Sequence, residues 1–431
     1  MRYHPINNKL FIRNRANFTA QMKPKSIAIF NSNDTFTTGA DSTLPFEQHS
    51  DILYLSGADQ EESILLLFPD ALNENHREIL FLTETSELIA IWYGAKYSKE
   101  EATKVSGVKT IYWLSEFKKI FFDLMTEAET IYFNTNEHYR QSVELENRED
   151  RFIKKCKSDF PAHRWEKSNQ ILQEIRGAKE PEEVEIIQTA CNITEKGFRR
   201  ILPFVKPGIM EFEIEAEFMH EFLRNRSKGF AYTPIIGSGY SACVLHYIEN
   251  NKECKNGDML LLDVGAEYAN YSSDMTRTIP VNGRFSDRQK AVYSAVLRVK
   301  NSATKMLAPG VLWAEYQKEV GKMMSSELIG LGLIDKNDVK NENPDWPAYK
   351  KYFMHGTSHH MGLDTHDYGA LKTPMKAGMV FTVEPGIYIP EEKMGIRIED
   401  DVVVQKTGEP FNLMRNIPIE IEEIEDLMNS K

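Results

Sequence analysis

The pattern of apolar and polar positions in the first part of the chain predicts alternating strands and helices. Short apolar runs bounded by turn residues indicate β-strands, and the segments between them, such as residues 114–127, have helical periodicity. The predicted strands begin at Ser26, Ser63, Glu78 and Thr130. Strands and helices in alternation are typical of a small α/β domain.

A different pattern follows, and it occurs twice. Pro181 opens an amphipathic helix, the Pro207-Gly208 pair ends it, and a second helix spans residues 212–226. Strands come after this helix pair. The repeat predicts a domain built from two related halves with pseudo-twofold symmetry.

The second copy of the pattern has the same order of signals. Ser286 begins a capping box, and a helix follows to residue 307. Pro309-Gly310 ends that helix, another covers residues 313–331, and strands follow again. Sequence identity between the two halves is low, so the prediction of a duplication depends on the pattern alone.

Residues 144–158 are polar and strongly charged, which predicts a surface connection between the two parts of the chain. We therefore place the domain boundary near residue 170. This gives an N-terminal α/β domain of residues 1–170 and a second domain of residues 171–431. A chain of 431 residues is suited to two or three domains. The expected fold class is α/β (α+β).

The composition is that of a globular protein, with 41% hydrophobic and 27% charged residues. A formal net charge of −12 argues against a nucleic-acid partner. The four cysteines contain no CxxC pair and are too few for a disulfide framework in a chain of this length. No segment has the apolar run of a secretion signal or a membrane span. We therefore expect a cytoplasmic protein with no membrane or nucleic-acid partner.

Two aspartates flank a predicted hairpin in the second domain. Asp263 ends an apolar run that begins at Met259, and Asp274, eleven residues later, begins an alternating strand. Buried carboxylates are unfavourable unless a positive group pairs with them. Taken alone, the hairpin supports two alternatives: a structural ion pair between Asp274 and Arg277, or a hard divalent cation held by oxygen ligands.

A cluster of histidines favours the cation. Four of the eleven histidines in the chain fall within twelve residues; they are His355, His359, His360 and His366. Neutral imidazole binds metals and titrates near neutral pH, so such a cluster is more often a ligand or acid–base site than a packing feature.

Two glutamates complete the donor set. Glu384 and Glu399 lie in apolar runs that predict strands over residues 378–389 and 395–404, where a glutamate is rarely present for packing. Two aspartates, two glutamates and a histidine suit a two-metal site for Mn²⁺, Fe²⁺, Co²⁺ or Zn²⁺. A water bridging two such ions becomes a hydroxide near neutral pH, which predicts hydrolysis.

These residues and their neighbours resemble the metallopeptidases of the pita-bread fold, and among them the Xaa-Pro aminopeptidase (aminopeptidase P) family. The matching segments are Cys-Val-Leu-His246-Tyr-Ile-Glu-Asn, Asp263-Val-Gly-Ala-Glu-Tyr, His355-Gly-Thr-Ser-His, Thr-Val-Glu384-Pro-Gly-Ile-Tyr and Gly-Ile-Arg-Ile-Glu399-Asp-Asp. The resemblance is dense over residues 175–430 and extends to Pro-Phe-Glu-Gln-His-Ser-Asp-Ile-Leu-Tyr-Leu-Ser-Gly in the first domain. It implies a C-terminal pita-bread domain preceded by an N-terminal domain of the aminopeptidase P type.

The resemblance implies a role for each matching residue in holding two divalent metal ions, with Mn²⁺ preferred and Co²⁺ or Zn²⁺ also tolerated. Asp263 would bind one ion, and His359 and Glu384 would bind the other. Asp274 and Glu399 would bridge the two ions. Glu384 would also carry a proton from the metal-bridging hydroxide to the leaving nitrogen.

The resemblance also implies contacts with substrate. His246 and His366 would contact the substrate carbonyl and stabilise the tetrahedral intermediate, and His355 would lie near the proline subsite. Tyr388 and Arg397 match positions next to the metal ligands, and Arg397 is expected to orient the bridging glutamate. His360 is expected to take no part.

Trp92 matches a position at which a neighbouring subunit of the family caps the site, which implies a homodimer or homotetramer. The sequence departs from the family nearby. Glu47 stands where a basic residue is common, and Ala90 where an acid is common. Both departures concern the contact between subunits and the reach of the substrate, and neither concerns the chemistry.

The implied activity is hydrolysis of the first peptide bond in peptides with proline at the second position. One alternative is prolidase, which cleaves only Xaa-Pro dipeptides, although Ser358 and the N-terminal signature are more similar to aminopeptidase P. Another is a pita-bread domain that binds a partner without catalysis. A third is a metal-free hydrolase of the creatinase type. The presence of all five ligands argues against the last two.

Overall fold

The computed structural model describes residues 2–135 and 144–430. The chain divides into two compact units, Tyr3–Arg176 and Gly177–Lys431. The boundary predicted near residue 170 falls within the helix Asn169–Gly177. Among the helices of the described residues, none combines the length and the apolar character that crossing a bilayer requires.

Alternating helices and strands make up the first unit. In chain order the elements are α1 (Lys9–Thr19), β1 (Ser26–Asn31), α2 (Ser50–Ser56), β2 (Ile64–Leu67), β3 (Glu78–Leu82), α3 (Glu87–Tyr93), α4 (Lys99–Ser106), β4 (Thr110–Trp113), α5 (Phe117–Met125), β5 (Thr130–Phe133), α6 (Arg148–Asp159), β6 (Arg164–Lys167) and α7 (Asn169–Gly177). The strands form one mixed sheet in the order β4-β3-β2-β1-β5-β6. The α/β class is therefore confirmed, and the strands predicted at Ser26, Ser63, Glu78 and Thr130 are β1, β2, β3 and β5.

The prediction of a surface connection over residues 144–158 was wrong for most of its length, because α6 occupies it. Asn147 caps this helix by accepting a hydrogen bond from the backbone N–H of Asp150 at 3.0 Å. Ile153 and Cys156 point into the core under the sheet, and Glu149 is buried with its carboxylate accepting from Asn31, while the other charged residues lie towards solvent. With so few apolar positions, the periodicity of α6 is hard to distinguish from that of a polar loop.

The second unit repeats one arrangement of helices and strands. In chain order the elements are α8 (Pro181–Ile201), α9 (Glu211–Arg224), β7 (Ile235–Ser238), β8 (Met259–Val264), β9 (Glu267–Tyr268), β10 (Tyr271–Ser272), β11 (Met275–Pro280), α10 (Asp287–Lys305), α11 (Trp313–Gly330), α12 (Lys336–Lys340), β12 (Val380–Val383), β13 (Gly386–Ile389), β14 (Met394–Arg397), β15 (Asp400–Val403), β16 (Phe411–Asn412) and α13 (Ile421–Asn429). Two helix pairs, α8–α9 and α10–α11, are each followed by antiparallel strands. The predicted duplication is confirmed.

The turns inside the two helix pairs have the same backbone conformation. Gly208, after α8, has φ +94°, and Gly310, after α10, has φ +93°. Each glycine follows a proline a few residues after the helix has ended, and each adopts a left-handed conformation that other residues rarely tolerate. The Pro-Gly signals in the sequence therefore mark equivalent turns of the two halves.

The strands that carry the acidic residues are shorter than the sequence predicted. Residues 378–389 form two strands, β12 and β13, and residues 394–403 form β14 and β15. β12 pairs with β15, and β13 pairs with β14. The break falls at Glu384-Pro385, where proline has no N–H to donate, and opposite it at Ile398-Glu399. Both glutamates therefore lie where the sheets separate.

Arg277 is fully buried and pairs with Asp400 rather than with Asp274, so the structural ion pair considered for the hairpin was wrong. Its Nη2 lies 2.7 Å from Asp400 Oδ1, and its Nη1 donates to the backbone carbonyl of Glu399 at 2.7 Å. Lys300 provides a second buried cation for the same Asp400 carboxylate. These contacts hold the chain at Glu399 against β11.

The backbones of Gly395 and Ala242 approach each other closely, and substitutions at glycine test this packing. A Cβ at Gly395 would lie 2.0 Å from the carbonyl oxygen of Ala242, whereas a Cβ at Gly330, the last residue of α11, would meet no atom within 4 Å. We expect Gly395→Ala to lower the free energy of unfolding by about 1–3 kcal/mol or more. Gly330→Ala, the control, should leave it nearly unchanged. Equal denaturant midpoints for the two variants would contradict the packing described here.

Candidate metal centre

Five side chains that are distant in sequence converge at the breaks in the strands. Asp263 lies near the end of β8, and Asp274 directly precedes β11. Glu384 lies between β12 and β13, and Glu399 between β14 and β15. His359 comes from the loop before β12, and its Nε2 lies 3.4 Å from Asp274 Oδ2 and 3.9 Å from Glu384 Oε1. Ligand atoms of Asp274, His359 and Glu399 all lie within 4.8 Å of one another. The structure therefore brings together the set that the sequence predicted.

The electrostatics of the cluster favour a cation. Burial raises the pKa of Glu399 well above its ordinary value, and the nearby Asp274, Glu384 and Asp263 raise it further. Burial also raises the pKa of Glu384 to about 7, although His359 and Arg397 oppose the shift. Carboxylates this close repel one another unless positive charge is added.

The donor set fits a divalent metal better than it fits an organic cation. Oxygen atoms from four carboxylates and one imidazole nitrogen are the ligands preferred by ions such as Mn²⁺, Co²⁺ and Zn²⁺. The four cysteines of the chain are free, and none belongs to this cluster.

Arg397 orients Asp263 directly, which differs from the expected contact with Glu399. Its guanidinium donates to Asp263 Oδ2, to the Tyr388 hydroxyl at 2.8 Å and to Thr276 Oγ1 at 3.1 Å. Thr276 in turn donates to Glu399 Oε2 at 2.6 Å. Arg397 thus reaches Glu399 through the threonine hydroxyl.

Tyr232 belongs to the centre, although no pattern in the sequence predicted it. Its hydroxyl oxygen lies 2.6 Å from Asp263 Oδ1 and 2.6 Å from Asp274 Oδ1. Burial raises the pKa of Tyr232 well above its ordinary value, and the two aspartates add to the shift, so the hydroxyl keeps its proton. It carries one hydrogen and therefore donates to one aspartate at a time. No periodicity marks Tyr232, which precedes β7 in an irregular segment.

Thr276 was missed as well, although the sequence contained a signal for it. It lies two residues after Asp274 in an alternating strand, and this spacing places both side chains on the same face.

His355 and Tyr388 lie beside Glu384. His355 Nε2 is 2.7 Å from the Tyr388 hydroxyl oxygen, and its Nδ1 is 3.5 Å from Glu384 Oε2. The ring of Phe353 packs edge-on against the imidazole, with 4.9 Å between the ring centroids. These rings, with Phe353 and Tyr388 buried and His355 half-buried, form one wall next to the acidic cluster.

The other predicted histidines have different surroundings. The exposed His366 packs against His359, with 4.2 Å between the ring centroids. His360 is buried in the opposite direction, against Trp313 and Phe381. His246 is exposed and directly precedes Tyr247, whose buried ring packs in the same small core as Tyr388.

Trp92 lies in α3 of the first unit and is 76% exposed. Its exposure is shared by three neighbouring apolar side chains of the same helix, Leu88, Ile91 and Tyr93. The helix buries none of its residues within its own unit.

Two families match this chain. The model of metallopeptidase family M24 matches residues 185–406, and the aminopeptidase P N-terminal domain matches residues 11–132. The Xaa-Pro aminopeptidase of Escherichia coli (strain K12) is 34% identical over 98% of this chain and 98% of its own length. Human Xaa-Pro aminopeptidase 3 is 32% identical over 92% of this chain and 79% of its own length.

The fold agrees with these matches. A zinc-substituted E. coli aminopeptidase P solved in complex with product superposes with a TM-score of 0.87 at 32% identity, covering 99% of both chains. A family match over more than half of the chain, a full-length relative and the same fold lead to one conclusion: the chain belongs to metallopeptidase family M24, with an aminopeptidase P type of N-terminal domain and the pita-bread fold.

Proposed function

We propose that the protein is an aminopeptidase that hydrolyses the N-terminal Xaa-Pro bond of peptides with proline at the second position. The observation that carries the proposal is the convergence of the buried Asp263, Asp274, His359 and Glu399 with the half-buried Glu384. The names of the relatives support the substrate class. We assign the chemistry to residues 171–431 and treat residues 1–170 as the N-terminal domain.

The cluster would hold two divalent ions, with Mn²⁺ preferred. The position of Asp274 and Glu399 within reach of His359 supports their role as bridging ligands. Asp263, held by Arg397 and Tyr232, would complete the ligands of one ion. Glu384 and His359 would both bind the other ion. Bound metal supplies a water acidic enough to act as nucleophile at neutral pH and polarises the scissile carbonyl.

The side chains around the cluster have distinct tasks in this proposal. Glu384 takes the proton of the attacking water and delivers it to the leaving proline nitrogen. His366, against His359, and His246 donate hydrogen bonds to the carbonyl oxygen as negative charge develops on it. His355 and Tyr388, joined by their 2.7 Å hydrogen bond, line the pocket for the proline ring.

We also propose that the protein is a homodimer or homotetramer. The apolar residues exposed on α3, among them Trp92, support this because a helix that buries nothing within its own unit requires another surface to cover it. In this assembly Trp92 would close over the site of a neighbouring subunit. The four free cysteines support a cytoplasmic location.

The first prediction concerns the bridging ligands. Asp274→Ala and Glu399→Ala should each abolish both bound metal and activity, because neither ion keeps its full set of ligands. Metal bound per chain is measured by elemental analysis after dialysis against Mn²⁺. Glu391→Ala, at an exposed glutamate of the same region, is the control and should bind as the parent protein does. Two metals per chain in either test variant would contradict the dinuclear assignment.

A second prediction concerns proline. The leaving nitrogen of an Xaa-Pro bond carries no N–H, so a site shaped for it should discriminate in kcat/KM against peptides with alanine at the second position. Peptides that differ only at this residue are compared in one assay. Equal values would leave a metallopeptidase but reject specificity for proline.

A third prediction separates two histidines of one loop. His359→Ala should lose metal and activity together. His366→Ala should keep its metal, while kcat falls by roughly 10²–10³-fold, the usual effect of removing one donor to an oxyanion. KM should change less than kcat. If His366→Ala keeps full kcat, or loses metal as His359→Ala does, the role given to His366 is wrong.

A further inference from the structure

The loop that carries His359 and His366 closes on itself through its backbone. The N–H of Asp367 donates to the carbonyl of His360 at 2.9 Å, and the N–H of Gly362 donates to the carbonyl of Asp364 at 3.1 Å. His366 itself lies outside regular secondary structure and is exposed to solvent. Its ring position therefore depends on what holds the next residue, Asp367.

The carboxylate of Asp367 is held by a buried lysine. Lys179 Nζ lies 2.9 Å from Asp367 Oδ2, and the two side chains are 1% and 2% exposed. The backbone of Lys179 is fixed as well, since its N–H donates to the carbonyl of Gly378 at 2.8 Å. Removing one partner of a buried ion pair leaves an uncompensated charge, so this contact constrains the loop strongly.

The packing around the ion pair leaves no spare room. A Cβ at Gly362 would lie 2.1 Å from Asp367 Oδ2 and 2.8 Å from Lys179 Cε. The buried Glu183 lies near the same lysine, and its own carboxylate accepts hydrogen bonds from the Tyr271 hydroxyl and the Glu180 N–H, each at 2.9 Å. Lys179 thus provides positive charge next to two buried carboxylates.

We propose that Lys179 is a positioning residue for catalysis: its buried ion pair with Asp367 fixes the ring of His366 beside His359. Lys179 contacts neither the metal ligands nor the substrate, and it acts through the loop that carries His359 and His366. The inference rests on the proposed function, because it assumes that His366 donates to the developing oxyanion.

A mutant cycle tests this role. Lys179→Met removes the charge and keeps the length of the side chain, and Asp367→Asn removes the other charge with little change in shape. Each should lower kcat by roughly 10- to 100-fold, as expected for a displaced catalytic group, while KM and bound Mn²⁺ change little. In a His366→Ala background neither change should lower kcat further. Losses that multiply in that background would overturn the proposal.

A second readout does not depend on turnover. In metal-free protein labelled at histidine, the ring resonance of His366 is identified by its loss in His366→Ala. Lys179→Met should shift that resonance and leave the resonance of His220, exposed on α9, in place. An unmoved His366 resonance would contradict the proposal. If Lys179→Met fails to fold, Asp367→Asn is measured in the same way.

Loss of stability is separated from loss of positioning by Ile214→Ala, which leaves a cavity in the buried face of α9. This control should lower the melting temperature and keep kcat. The parent protein in the same assay distinguishes a failure of the proposed function from a failure of the inference about Lys179. A parent that turns over no Xaa-Pro peptide overturns the proposed function and this inference together. An active parent with multiplying losses overturns this inference alone.

Discussion

The structure of the second unit depends on one unfavourable interaction, the repulsion among four converging carboxylates, of which three are buried and Glu384 is half-buried. Removing a carboxylate from water costs several kcal/mol even after the protein relaxes. Arg397 offsets the charge of Asp263, and the hydroxyls of Tyr232 and Thr276 solvate the oxygens that face them. One arginine does not balance four acids. The fold therefore preorganises a site whose charge is completed by divalent metal.

A second network of buried charges, two cations on one acid, keeps this cluster in place. Arg277 and Lys300 both pair with Asp400, and Arg277 also binds the backbone carbonyl of Glu399. Because both cations are occupied at Asp400, Arg277 fixes the backbone of Glu399 without neutralising its carboxylate. The charge of Asp400 is thus compensated by cations of the protein itself. The charge of the adjacent carboxylates at the metal centre is fully compensated only when metal binds.

The sequence predicted much of this site, because its ligands lie in short apolar strands where an acidic residue is conspicuous. Asp263, Glu384 and Glu399 were all identified in this way. Local pattern was less informative about contacts between distant segments. It left open an ion pair between Arg277 and Asp274, whereas the arginine binds Asp400, and it gave no indication of Tyr232. It also missed α6, whose core-facing positions are few. Tertiary contacts decide such features, and periodicity does not encode them.

The metal dependence of peptide turnover tests the central claim most directly. The protein is stripped with a chelator and assayed on a tripeptide with proline second and on the matching Xaa-Pro dipeptide, before and after Mn²⁺ is restored. We expect no turnover by the stripped protein and recovery on the tripeptide once metal is bound. Recovery on the dipeptide alone would indicate a prolidase. Full turnover by protein that elemental analysis shows to be free of metal would contradict the account.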